Sequence, residues 1–147
     1  MSAALQRYAD RDVFRGFRAT PAARGRIEYQ FYWLTKKPVT AVFDPKARRL
    51  RFPSVLPQVD TDTATAMTAA VRSRASRSEP DHKRVDARKC TIAGTVRKRD
   101  FSLTIDIRGA NHQYAVSKAL NLVNDMFVTL HEHHPEYLVE RFGISAE

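Results

Sequence analysis

A chain of 147 residues with one cysteine, five glycines and no long apolar run excludes several kinds of protein at once. Cys90 stands alone, so no internal disulfide framework holds this fold. The glycines are scattered, and none sits in a cluster that could cradle a phosphate. There is no Gly-x-Ser-x-Gly elbow for a serine nucleophile, and neither a cysteine pair nor a His-Glu-x-x-His spacing for zinc. The longest apolar stretches are far too short to span a bilayer. The first residues, Met1 to Arg7, lack the extended apolar region of a secretory signal, and the cytoplasm is the expected location. No cofactor is implied.

What is present is a globular composition, 43% hydrophobic, with a net charge of +9. The length predicts a single domain over 1–147 with a proper core. Positive charge of this size attracts polyanions, whether nucleic acid, acidic protein or anionic membrane. The basic residues are nevertheless dispersed over the N-terminal stretch, residues 72–88 and the turns. Residues 72–88 are rich in Arg, Ser and Asp and poor in anything that packs, and they predict a mobile basic loop.

Hydrophobic periodicity gives the clearest structural signal. Cys90, Ile92, Gly94 and Val96 alternate with polar or small residues, and Phe101, Leu103, Ile105 and Ile107 do the same after the turn Arg97-Lys98-Arg99-Asp100. A period of two means two paired strands. Beyond Gly109 the period changes: Val116, Leu120, Val123, Phe127 and Leu130 fall at helical spacing. Asn111 is the expected N-cap of that helix. Pro135 interrupts it, and a final helical piece runs to Phe142, with Gly143 as its stop. In the first half, mixed three- and four-residue spacings of Leu5, Tyr8, Val13, Phe14 and Phe17 predict a helix within 1–18. Alternation then predicts strands at Ile27 to Trp33, at Val39 to Phe43 and at Leu50 to Phe52, the last stopped by Pro53 and Pro57. Asp60-Thr61-Asp62-Thr63 supplies caps for a weakly apolar helix starting near residue 62.

The resulting class is α+β in two layers: an antiparallel sheet of about five strands, in the order helix-β-β-β-helix-β-β-helix, with helices on one face. That order resembles the small fold of type III secretion chaperones and related bacterial proteins, across nearly the whole chain. The resemblance implies a protein-binding, chaperone-like role and transfers no residue. This chain departs from that group in its charge, since those chaperones are typically acidic, and fold does not fix function.

Candidate sites are few. His131 and His134 are three apart on a helix, with His133 between them, but no third or fourth metal ligand accompanies them; a helix C-terminus favours histidine through its dipole. Asp60 and Asp62 resemble a carboxylate pair, yet they are also the acidic start of a helix. The open face of the sheet carries Tyr32, Arg49, Arg51 and Arg108, a candidate polyanion-binding face. Leu34 and Val42 fall on nominally polar faces, and Leu138, Val139 and Phe142 add apolar surface beyond Pro135, a candidate protein interface. The expected function is therefore protein–protein interaction of a chaperone-like or adaptor kind, with a protein partner or a second copy as homodimer. RNA or DNA binding through the basic sheet face is the second reading, and an enzyme is the third.

Overall fold

The computed structural model describes residues 1–143 and is α+β with one open antiparallel sheet. A first helix, α1 (Ser2–Asp10), is followed by strands β1 (Arg15–Pro21), β2 (Ile27–Tyr32), β3 (Pro38–Asp44) and β4 (Arg49–Leu56). Helix α2 (Thr61–Ser73) precedes β5 (Cys90–Arg97) and β6 (Asp100–Ile107), and helices α3 (His112–His133) and α4 (Pro135–Phe142) complete the fold. The strand order is β1-β2-β3-β4-β6-β5, with every neighbouring pair antiparallel.

The sheet has six strands, one more than the sequence pattern predicts. The extra strand is β1, which occupies the second part of the expected helix 1–18. Its register with β2 is broken by a bulge between Arg15 and Arg18. A bulge inserts one extra residue and so changes which side chains share a face. It brings Phe14 and Phe17, three apart, to the same side, a spacing that imitates a helix. Phe14 then stacks on Phe31 at 3.9 Å between ring centroids, and Phe17 on Tyr29 at 5.9 Å. Gly16, with φ at +62°, takes a conformation no helix offers. The chain leaves α1 through Asp12, also left-handed, while the backbone N–H groups of Val13 and Phe14 both donate to Tyr8 O.

A second difference lies in β4, which continues through Pro53 instead of stopping there. The register shift between Phe52 and Leu56 takes Pro53 out of regular pairing, which is where a strand tolerates proline. Its carbonyl accepts a 2.6 Å bond from the Ser102 hydroxyl, so that buried serine is satisfied.

One face of the sheet is buried by the helices. Tyr29, Phe31, Phe52, Phe101, Leu103 and Ile105 point inward and are fully or almost fully buried. Against them α3 presents Val116, Leu120, Val123 and Phe127, the face that its helical spacing predicts. Trp33 packs at the edge of this cluster. Gly94 lies in β5 between the strand's inward residues, and a methyl there would sit 2.6 Å from Phe101 Cζ. The ring of Phe101 therefore occupies the space a side chain at 94 would need.

Residues 74–89, between α2 and β5, hold neither helix nor strand. The sequence marks this stretch as poor in anything that packs, and two of its residues, Arg74 and Val85, are buried. Arg74 donates to Asp125 at 2.6 Å and to Asn121 at 3.1 Å, and Lys83 reaches the same Asp125 carboxylate at 3.2 Å. Burial alone would raise the Asp125 carboxyl, but the bonds from Lys83 and Arg74 outweigh it and hold it below the usual range. The Tyr114 hydroxyl accepts from the Asp86 backbone N–H at 3.0 Å, and Lys118 donates to His82 O at 2.7 Å. The segment is pinned at both ends, and residues 75–78 between the pins are exposed. Limited trypsin digestion of the folded protein is expected to cut first after Arg77; first cleavage after Arg74 would contradict that order of protection.

Gly94→Ala should lower stability by about 1–3 kcal/mol, the usual cost of overpacking a filled core. Urea unfolding measures it, and an unchanged midpoint would show that Phe101 can yield.

Candidate functional site

The outer face of the sheet carries the charged residues that alternation assigns to it. Arg49 and Arg51 project from β4, Tyr32 ends β2, and Arg108 follows β6. Arg49 is not a free cation: its Nε lies 2.7 Å from Asp106 Oδ1, and both side chains are about half exposed. That bond and the Asp106 charge hold the guanidinium in its charged form. Asp44, directly across the strand pair from Arg49, also takes Arg26 at 3.6 Å. The face is therefore of mixed sign. Tyr32 pairs with Pro38, whereas Arg51 pairs with Val42, four residues further along β3. At a rise of about 3.3 Å per residue, this separates the ring from the arginine row by roughly 13 Å along the strands, and by two strands across. The Tyr32 ring lies over Gly16, where a methyl would meet it at 3.3 Å. Register places Tyr32, Arg49 and Arg51 on one face, Arg108 lies beyond the end of β6, and the four are not gathered into one site.

The histidines also disperse. His134 Nδ1 lies 3.4 Å from Thr63 Oγ1, joining the start of α4 to the first turn of α2, while His133 approaches only its neighbour Glu132. Among the described residues no three His, Cys, Asp or Glu side chains form a group able to hold a metal ion. Asp60 caps α2 by accepting from Thr63 N at 2.7 Å, and chiefly this bond holds its carboxyl below the usual range. It serves the helix, as the cap in the sequence implies. Cys90 is fully buried, and burial pushes its thiol up to about 11.

The residues beyond Pro135 divide three ways. Leu138 is buried in the core with 1% exposure, which corrects its assignment to an open interface: α4 folds back on α3 and takes it inside. Val139 is 45% exposed. Phe142 packs edge-on against Phe127 at 5.5 Å and lines a cavity.

That cavity, of about 360 Å³, is mostly apolar. It lies where the sheet runs past the end of its helical cover. The loop from Trp33 to Pro38 forms one side, the irregular stretch of β4 at Pro53 to Val55 another, and Val123, Phe127 and Phe142 close it from the helices. Its lining is mostly hydrocarbon and aromatic ring. Lys37 contributes the single charged group, with Nζ 5.7 Å from the Phe142 ring centroid. Leu34 stands at the rim, 39% exposed. Tyr137, one turn before Phe142, fixes α4 by donating its hydroxyl to Pro57 O at 2.5 Å, and burial pushes that phenol well above its ordinary range. A pocket of this size and polarity suits an apolar side chain or small molecule. The sequence marks Leu34 and Phe142 as surplus apolar residues; it carries no sign that Trp33, Pro53 and Phe127 would meet them, because four separate segments build the site.

The Cys90 thiol should resist iodoacetamide at pH 8 in the folded protein and react once the protein is unfolded. Its raised value also fixes a sign. Its contribution to stability is full below the ordinary thiol value near 9 and is lost as pH rises through about 11. Rapid labelling of the native thiol would contradict its burial. Comparison with protein-family models, curated proteins and solved structures finds no match for this chain.

Proposed function

We propose that the protein acts by binding, in an adaptor or chaperone-like manner, and seats an apolar side chain of a partner protein in the pocket between Trp33 and Phe142. The observation that carries this reading is the pocket itself, an apolar cavity open at a rim that includes the exposed Leu34. Catalysis needs groups that exchange protons or attack, and the only titratable group in this lining is Lys37. A buried aromatic or aliphatic anchor in a desolvated pocket is the usual centre of a protein interface. Lys36 and Lys37 in the adjoining loop, on a chain of net charge +9, favour a partner segment with acidic residues flanking its anchor. Nucleic acid is the weaker reading, because the outer face pairs Arg49 with Asp106 and holds Tyr32 apart from Arg51.

Trp33 is the only tryptophan of the chain and lines the pocket, so its emission reports occupancy directly. Peptides with a single Leu or Phe between acidic residues should shift that emission, and the same peptides with Ala at the anchor should not. Leu34→Asp, at an exposed position, should weaken binding by about 2 kcal/mol, the scale of an interface anchor, and leave the thermal midpoint unchanged. Peptides that leave Trp33 unperturbed, together with salt-sensitive oligonucleotide binding, would favour the nucleic-acid reading instead.

A further inference from the structure

A second cavity lies on the other side of α4, an open cleft of about 1140 Å³ between α2, residues 58–60, the β5–β6 turn and α4. Three arginines reach it from three elements: Arg72 in the last turn of α2, Arg99 in the turn, and Arg141 on α4. Two carboxylates also line it, Asp60 and Glu140, and Asp60 is already engaged as the cap of α2. The balance is positive. The Arg141 Nε donates to Gln58 O at 3.3 Å, which steers the rest of its guanidinium without neutralising it. Val96 and Ala64 give the cleft an apolar floor; Val96 is 45% exposed although it belongs to the inward side of β5.

The backbone around the cleft points the same way. Gln58, Lys98 and Arg99 all have left-handed φ values, of 45°, 49° and 71°. A two-residue hairpin turn with both central residues left-handed is the natural place for Asn-Gly, and here it is Lys-Arg. Side chains with a Cβ are disfavoured in that region and persist only where the surroundings impose it. The imposition is visible: Val59 N donates to Arg99 O at 2.7 Å, and Gln58 N to Asp100 Oδ1 at 3.0 Å. Both bonds would survive with glycine at 99. The fold thus carries an arginine where glycine would fold better, and it carries it into a cleft that two other arginines share. Arg24 and Arg48 also take left-handed φ values away from the cleft; what distinguishes Arg99 is that it shares the cleft with Arg72 and Arg141.

We propose that this cleft binds a small organic phosphate of about nucleotide size, with its phosphoryl groups on Arg72, Arg99 and Arg141 and its organic part against Val96 and Ala64. Planar guanidinium groups pair with phosphoryl oxygens two bonds at a time, which a lysine ammonium does not do. The site is separate from the apolar pocket and lies on the opposite side of α4.

The test uses the whole chain with ATP as probe and adenosine as its uncharged counterpart, followed by calorimetry and by thermal shift. ATP should bind and adenosine should not. Arg99→Gly should raise the thermal midpoint, because it relieves the turn, and should weaken ATP binding about tenfold or more, the loss of a charge-assisted bond. Arg99→Lys should retain part of the affinity. Arg11→Ala, which removes the same charge from an exposed position beyond α1, should leave ATP binding unchanged. Absence of ATP binding to the native protein would overturn the proposal, and so would equal losses from Arg99→Gly and Arg11→Ala.

Discussion

The whole arrangement depends on one helix covering one face of a sheet. Alpha-helix α3 carries nine buried residues along its length, and each of the other three helices packs against it. None of those three has comparable apolar surface: α1 and α4 contribute two buried residues each, and α2 three. The alternating strands need a cover because an exposed row of Phe and Leu is unfavourable by roughly 25 cal/mol per Å² left in water. Only α3 is long enough to provide it. Without its contact with Phe101, Leu103 and Ile105, α2 would keep only its docking on β5 and α1 only its docking on β1, with most of the inner face uncovered.

Covering a twisted six-stranded sheet with a single straight rod leaves its corners to other segments. Strand β1 and helix α1 fill one corner with stacked aromatics, Phe14 and Phe17 on Phe31 and Tyr29. Helix α2 and the pinned residues 74–89 fill another, with Arg74 as their buried polar centre. At the end of the sheet where β2, β4 and β5 finish, the filling is incomplete, and both cavities lie there. The apolar pocket and the arginine-lined cleft thus share an origin in the mismatch between a rod and a sheet.

The second half of the chain is readable from its residues because nothing interrupts the period. Cys90 to Ile107 alternate without a bulge, and α3 keeps its stripe for its whole length, so strand, turn and helix follow from side-chain spacing alone. Where the register breaks, the reading fails for a definite reason. The bulge at Arg15–Arg18 makes Phe14 and Phe17 look helical, and the irregularity after Phe52 lets a strand pass through Pro53. Arg74 reads as loop charge because its partners, Asn121 and Asp125, are about fifty residues away on α3. The candidate sites are less legible still. Leu34 and Phe142 are visible as apolar residues in excess, while Leu138, equally apolar, belongs to the core. Which of these faces outward depends on how α4 turns after Pro135, a tertiary matter that local pattern does not encode.

Helix α4 is the partition between the two cavities. Phe142 faces one, and Tyr137, Glu140 and Arg141 face the other, all within the eight residues that follow the break at His134. A short element with walls on two chambers cannot be displaced toward one without altering the other. Any occupant of either chamber that binds one position of α4 more tightly than another must change the affinity of its counterpart. Thermodynamic linkage then requires the same factor in both directions.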